Sequence, residues 1–388
     1  MKKIKICVVT STRAEYGVLR WLMEEIKNDE QMRLQLLVTG AHLSREFGLT
    51  FREIEKDGFK IDAKVNMHLS LHSKAAIVKS MGQCSIGIAK AFERLKPDLI
   101  IVLGDRYELL SVCSSAVVMN IPIAHISGGD ITEGAIDEQT RHAITKMAHL
   151  HFPGTEASAK RIIQMGEGPG KVFAVGELGV DNFRKLKAKT KSEIAAELGL
   201  DKNKKWILFT YHPETAITLD ENLKRVANVL SVLRKIKGVE LIITYPNADY
   251  GGRQIIDLLK KQRLKEKGKF HLLKNLGSLR YISLMMNSSC LIGNSSSGIT
   301  ESPSAKIPTL NIGNRQKGRI IPKNIICVSG SRDSIKKGLV KSLSGNFRKK
   351  LVNLKNPYGS GTAAKNIVRV LRRIRIGGSL LNKKFTEI

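Results

Sequence analysis

The chain has 388 residues, 42% hydrophobic and 26% charged, which at about 150 residues per domain points to two domains with packed cores and excludes wholesale disorder. No apolar run approaches the roughly 20 residues that span a bilayer, and the apolar stretch Ile6–Val9 after the basic start ends too soon for an export signal. Lys and Arg number 65 against 35 Asp and Glu, a net charge of +30, which raises nucleic acid as a partner; with no aromatic interleaving and no nucleic-acid motif, attraction of a small anionic substrate is the reading preferred.

In chain order, Lys5–Val9, Leu34–Val38, Leu99–Leu103, Ile123–Ile126, His149–Phe152 and Val172–Val175 read as strands. They are short apolar runs bounded by Gly, Pro, Asp or Ser, as strands buried on both faces are. Amphipathic patterns at Gly17–Lys27, Lys74–Leu95, Tyr107–Met119, Glu138–Ala148 and Glu156–Met165 read as helices between them. This alternation predicts a parallel, doubly wound α/β sheet. Asp181–Lys204 is Lys-rich and poor in β-branched residues, like a linker or connecting helices. A second series of strands follows at Trp206–Thr210, Leu241–Thr244, Phe270–Leu273, Leu291–Ile292, Thr309–Ile312 and Ile325–Val328. Thr362–Arg375 reads as a terminal helix, and the residues after Gly377 are expected to fray. The expected division is 1–180, a connecting segment 181–204, a second domain 205–360, and a helix with a basic tail over 361–388. Two similar Rossmann-like domains with a cleft between them are expected. Five scattered cysteines, Cys7, Cys84, Cys113, Cys290 and Cys327, with no CxxC, read as reduced buried thiols of a cytoplasmic protein.

Ligands of open α/β sheets bind beyond the carboxyl ends of the strands, so the loops after strands hold the candidates. Thr12-Arg13-Ala14-Glu15-Tyr16-Gly17 lacks the dinucleotide fingerprint, but Arg13 is able to fork to a phosphate. Asp105, in Gly104-Asp105-Arg106-Tyr107-Glu108, sits at the end of a buried strand; there it either caps the next helix or does chemistry. Ser127–His142 is the densest stretch, with three glycines and the carboxylates of Asp130, Glu133, Asp137 and Glu138. Asp137 is placed to N-cap the following helix, and Arg141 lies four residues on, spaced to pair with it. In the second half, His212 and the Tyr245–Asp249 segment end strands, each also consistent with a plain turn. Gly293–Glu301 brings serine hydroxyls and backbone N–H groups to an expected helix start, either an anion site or a Ser-rich cap. Asn311–Arg319 adds cations. Gly166–Lys171 resembles a P-loop only superficially, because its spacing is wrong and a strand rather than a helix is expected after it.

Taken together, STRAEYG at Ser11–Gly17, TGAH at Thr39–His42, GDRYE at Gly104–Glu108, HISGGD at His125–Asp130, DEQTRHAITKM at Asp137–Met147, HPET at His212–Thr215, NSSSG at Asn294–Gly298 and NIGNRQKGR at Asn311–Arg319 resemble the hydrolysing UDP-N-acetylglucosamine 2-epimerases of sialic-acid and related nonulosonic-acid biosynthesis. The resemblance implies a glycosyltransferase-B-like pair of domains with substrate in the interdomain cleft. It implies UDP held by His212, Asn247, Ser295, Ser296, Glu301 and Arg315, with Arg13 and Arg106 approaching the diphosphate. It places the essential carboxylates on Asp105, Asp130 and Asp137, although many relatives carry Glu at the position of Asp130. A homodimer or homotetramer with no cofactor or metal is also implied. Some relatives act on a 2,4-diacetamido sugar nucleotide instead.

The chemistry explains why such a set is needed. C2 of an N-acetylhexosamine bears no carbonyl, so simple deprotonation is hard. Loss of UDP from C1 as the C2 proton leaves gives a glycal, and water then adds. That demands a base, an acid/base for water, and stabilisation of departing UDP. A non-hydrolysing epimerase, a retaining glycosyltransferase and a non-catalytic sugar-nucleotide binder stay open as alternatives.

Overall fold

A parallel strand covered by helices on both faces must be apolar along its whole length. The computed structural model describes residues 3–247, 249–265 and 268–387, which leaves Ala248 of the Tyr245–Asp249 segment outside the described residues. Among the described residues twelve strands, most of them buried, form two sheets. The first holds β1 (Ile4–Thr10), β2 (Met32–Val38), β3 (Ala63–Lys64), β4 (Leu99–Leu103), β5 (Ile123–Ile126) and β6 (Leu150–Phe152), in the order β3-β2-β1-β4-β5-β6. The second holds β7 (Lys205–Thr210), β8 (Val239–Thr244), β9 (Phe270–Leu273), β10 (Cys290–Gly293), β11 (Thr309–Ile312) and β12 (Ile325–Val328), in the order β12-β11-β10-β7-β8-β9. All pairings are parallel. Strand order reverses between β1 and β4 in one sheet and between β7 and β10 in the other. These are the two topological switch points at which doubly wound sheets bind ligands.

The chain forms two compact units. One comprises Met1–Asp130, Asp137–Asp181 and Tyr358–Ile388, the other Ile131–Ile136 and Asn182–Pro357. Each has a core on both faces of its sheet. In the first, Ile6, Val8, Leu36, Ile101 and Phe152 pack with Leu19, Leu22 and Ile26 on one side, while Cys7, Val9, Ile100 and Val102 pack with Ile88, Phe92 and Val112 on the other. In the second, Phe209, Ile243 and Ile292 face Val226, Leu230 and Ile335, and Trp206, Leu208 and Ile242 face Ile194 and Leu284.

Several expectations change. Val172–Val175 is not a strand: the chain leaves a 3₁₀ turn at Pro169–Lys171 and forms a single isolated bridge, from Val172 to His151, rather than a ladder. β3 is two residues long, too short to leave a pattern. The segment after Asp181 carries the helix Lys191–Leu198, whose Thr190–Glu193 capping box starts it and whose Ile194 enters the second core. The terminal helix, Ala363–Arg373, is fastened at its start by Asp181, whose carboxylate accepts from Ala363 N at 2.9 Å and Ala364 N at 2.8 Å, and it buries Ile367 and Leu371 in the first core. The described residues after Gly377 do not fray, because several have specific partners. Leu380 is buried, Thr386 N donates to the Gly166 carbonyl, and Lys383 Nζ ion-pairs with Glu167 at 2.8 Å. Four cysteines are buried, but Cys327 lies on β12, the edge strand, and is exposed. No described helix is long and apolar enough to cross a membrane.

Candidate active site

In the first unit the site grows from the loops after β1, β4 and β5. Thr12 caps the helix Arg13–Lys27, and Glu15 returns the favour in a capping box. The helix therefore begins four residues before the expected Gly17 and opens with Arg13. After β4, the helix Glu108–Val118 starts beyond Asp105, with Tyr107 at its N-cap position and no side-chain cap. Asp105 is thus not the cap of that helix, and its carboxylate instead meets an arginine.

That arginine is Arg141, 1% exposed, on the helix Asp137–Met147. Its Nη2 pairs with the Asp105 carboxylate. Its Nη1 donates to the Asp130 carbonyl at 2.9 Å and to Glu138 Oε2 at 3.2 Å. Read from spacing as a partner for Asp137, Arg141 is the hub that gathers the loops of β4 and β5. Asp137 is the first residue of the same helix. Asp130 is 4% exposed, and its Oδ1 accepts from Ser158 Oγ at 2.7 Å. The loop leading to it is bent by Ser127 at φ 59° and Gly129 at φ 73°, a conformation that costs a serine about 1–3 kcal/mol. His125 braces the assembly. Its Nε2 lies 2.7 Å from the Gly104 carbonyl, which only accepts, so the ring proton sits there; Nδ1 faces Thr145 Oγ1 at 3.2 Å. Burial holds this imidazole neutral, with its pKa pushed down to about 3. Arg141, His125 and Ser158 were missed as site residues. Arg141 had a signal: it shares the helix face of buried Thr140, Ile144 and Thr145, where an apolar residue is expected.

In the second unit the loops after β7, β8 and β10 are tied through His212 and Asn294. Asn294 brackets the His212 backbone: its Oδ1 accepts from His212 N at 2.7 Å and its Nδ2 donates to His212 O at 2.8 Å. His212 Nδ1 accepts from Asn247 N at 2.9 Å, which places the ring proton of the neutral imidazole on Nε2 as a donor. Arg315 Nη1 and Gln316 Nε2 both donate to the Asn294 carbonyl, at 3.2 and 3.0 Å. Glu214, 1% exposed, accepts from Arg225 at 2.8 Å and from Asn314 N at 3.1 Å, which steadies the Arg315 loop. His212, Asn247 and Arg315 are therefore gathered around Asn294, and Ser295 follows it in the chain, bonded to Ser297 at 3.0 Å. The single helix expected after Asn294 is two four-residue helices, Ser297–Thr300 and Ser302–Ala305, with Glu301 at their junction and no side-chain cap from Ser296. So short a helix sums few peptide dipoles, and anion affinity there rests on individual donors rather than a macrodipole.

The acidic loop Ile131–Ile136 belongs to this second unit. Glu133 N donates to the Lys317 carbonyl at 3.1 Å, Glu133 ion-pairs with Lys317 at 2.6 Å, and Ile136 N donates to Thr215 Oγ1 at 2.9 Å. Gly134 is required by close approach: a Cβ there would lie 2.5 Å from the Asn314 carbonyl oxygen.

Residues 24–372 match the family described as UDP-N-acetylglucosamine 2-epimerase. The chain belongs to that family. It is 45% identical, over 84% of each chain, to the GDP/UDP-N,N'-diacetylbacillosamine 2-epimerase (hydrolyzing) of Campylobacter jejuni. It is 38% identical, over 95% of its own length and 93% of the other's, to the polysialic acid biosynthesis protein P7 of Escherichia coli. Its fold matches the UDP-GlcNAc 2-epimerase of Neisseria meningitidis, solved bound to UDP-GlcNAc, with a TM-score of 0.82 at 22% identity, covering 96% of this chain and all of that one.

Proposed function

We propose that the protein is a hydrolysing 2-epimerase of a UDP-linked 2-acetamido sugar, acting without a cofactor in the cytoplasm as a homodimer or homotetramer. The observation that carries the reading is the gathering of Asp105 and the Asp130 loop on buried Arg141, one helical turn from Asp137. In the first unit the switch-point loops present the carboxylates; in the second they present groups suited to a nucleotide: His212 Nε2–H, the Asn247 and Ser295–Ser296 segments, and Arg315 as donors, with Glu301 as an acceptor for ribose hydroxyls. Arg13 and Arg106 add cations for the diphosphate.

In this scheme one of Asp130 and Asp137 takes the C2 proton. The C–H electrons form the C1=C2 bond, and the C1–O bond breaks with its electron pair leaving on UDP, neutralised by arginine and N–H donors. Water then gives its hydroxyl to C1 while the other carboxyl, protonated at the outset, delivers its proton to C2 from the opposite face; that carboxylate takes the water's remaining proton, and the first carboxyl releases the original C2 proton to solvent. Asp105, held by Arg141, orients and supplies field.

The relative from Campylobacter favours a 2,4-diacetamido-2,4,6-trideoxy sugar on the nucleotide, as in a legionaminic-type pathway. The likeness to a polysialic acid biosynthesis protein favours a second reading, UDP-GlcNAc converted to N-acetylmannosamine. Proton NMR in heavy water with each nucleotide separates them. Free UDP and a manno-configured free sugar deuterated at C2 are expected from one substrate at a much higher kcat/KM. UDP-linked product would make the enzyme non-hydrolysing, and inertness towards both would end the proposal.

A further inference from the structure

Two buried glutamates stand in the first switch point and have no part in the scheme above. Glu15 is 8% exposed and Glu108 1%. Glu15 accepts from Ser11 N at 2.7 Å, Ser11 Oγ at 2.8 Å and Thr12 N at 3.3 Å. Glu108 opens the helix after β4, and its Oε1 accepts from Arg106 Nε at 2.8 Å. Its Oε2 is buried with no hydrogen-bond partner among the described residues. The loops of β1 and β4 converge over Gly40, at the end of β2, where a Cβ would lie 2.8 Å from the Ser11 carbonyl oxygen and 3.3 Å from Glu108 Oε1.

Two carboxylates therefore share the field of one guanidinium out of water. Burial, then the charge of Glu108, push Glu15 up to about 7, against the pull of Arg106 and Ser11. The other polar groups around the pair do not neutralise it. His42 is bonded to Thr10 and Thr50, and burial and the charge of Arg13 keep it neutral, with its pKa down to about 3. Cys84, which feels Glu108, is held as a thiol by burial. The Arg13 guanidinium adds positive charge near His42.

We propose that Glu108 is a positioning residue that fixes Arg106 for a nucleotide diphosphate, and that arrival of the diphosphate drives a proton from solvent onto Glu15. The proposal rests on the reading that Arg106 meets the diphosphate. Taking Nε fixes the plane of the guanidinium, so its fork is presented in one orientation. An anion on that fork cancels the positive field that favours the ionised form of Glu15, and Glu15 then takes up a proton more fully.

Calorimetric titration of the full chain with UDP at pH 7, in two buffers of different ionisation enthalpy, reads the protons taken up. The ionisation of UDP itself is common to all variants, so the quantity of interest is wild type minus Glu15→Gln. Wild type is expected to bind more protons per UDP, with affinity changed less than ~3-fold by Glu15→Gln. Glu108→Gln is expected to weaken UDP by at least ~10-fold and to act on KM more than on kcat, with partial rescue by Glu108→Asp. Equal uptake by wild type and Glu15→Gln overturns the coupling, and unchanged UDP affinity in Glu108→Gln overturns the positioning role. Should Glu15→Gln not fold, Ser11→Ala removes the hydroxyl donor to Glu15, and the uptake must move to higher pH; an unmoved profile overturns the coupling. Arg106→Met tests the underlying reading separately: undiminished UDP affinity there sinks that reading itself.

Discussion

Arg141 shows how much one buried side chain decides. Burying a guanidinium at 1% exposure is costly unless its charge is matched, and here Asp105, Glu138 and the Asp130 carbonyl take its two terminal nitrogens. Removing it takes from Asp105 the guanidinium it pairs with. Breaking a buried pair costs about 3–5 kcal/mol. The lower end applies because the Asp105 side chain keeps 22% exposure and some hydration. Arg141→Met is therefore expected to lower Tm by roughly 6 °C or more and kcat/KM by ~100-fold or more. Arg141→Lys, which keeps charge but not the fork, should fall between. A double-mutant cycle with Asp105→Asn checks the cause: the two effects must be strongly non-additive, with a coupling of at least ~1 kcal/mol in stability. Additive effects would mean that the pair is not the reason. At this scale the sequence is most informative about strand-end residues, because a parallel sheet delivers its chemistry to loops after strands, and Asp105, Asp130 and His212 do lie on such loops. Spacing along a helix reports neighbours on that helix, such as Glu138, but not the Asp105 carboxylate and the Asp130 carbonyl, which reach Arg141 from two other loops.

Among the elements, the C-terminal segment is the clearest case of order that composition hides. A run of basic residues with few acids looks solvated. Yet Lys383 Nζ donates to the carbonyls of Lys146 and Ala148, at the end of the helix that begins with Asp137, and pairs with Glu167 at 2.8 Å. A lysine over terminal carbonyls satisfies orphan acceptors and matches the helix dipole. Glu167 also takes Lys146 at 2.6 Å and His151 at 3.0 Å. Burial alone would raise its pKa; the hydrogen bonds from His151, Lys146 and Lys383 outweigh that and hold it down to about 2. A depressed carboxylate stabilises above its unfolded pKa, near 4.3, and loses that contribution as pH falls towards the folded value. His149 and His151 are pushed down by burial, His149 to about 4, and Lys383 adds to that push. Buried neutral imidazoles likewise lose stability as pH falls below about 6.5. Lys383→Met should lower Tm at pH 7, and its gap to wild type should narrow from pH ~6.5 to ~2, because the lysine loses its carboxylate partner and gains cationic neighbours. Thermal unfolding across that range checks the sign, and a gap that widens on acidification would refute it. The twelve strands were largely visible as buried apolar runs. β3 and the paired short helices after Asn294 were not, since two- and four-residue elements fall below the length at which periodicity speaks.

On the scale of the whole molecule, chain order and spatial unit diverge. Ile131–Ile136 packs with the second unit although its neighbours Asp130 and Asp137 belong to the first, and Tyr358–Ile388 returns to the first. Hydrophobic pattern reports that a residue is buried but not in which core, so a linear division could not have placed either stretch. Charge is the property that acts at this scale without regard to units. A net +30 raises the local concentration of anions, by up to 10–10³-fold in on-rate for well-focused fields, and salt removes the effect as the Debye length falls from about 10 Å at 0.1 M to about 3 Å at 1 M. The proposed substrate carries two negative charges on its diphosphate diester, and product UDP carries more near neutrality. KM for the sugar nucleotide and Ki for UDP should therefore both rise with ionic strength, Ki more steeply, while kcat stays nearly constant. Neutral uridine is the control, since its weak inhibition must not follow the same slope. If KM and Ki were flat from low salt to ~0.5 M, where the screening length is already below about 5 Å, the basic surface would have no part in capturing the nucleotide. The local forks and N–H donors would then account for affinity alone.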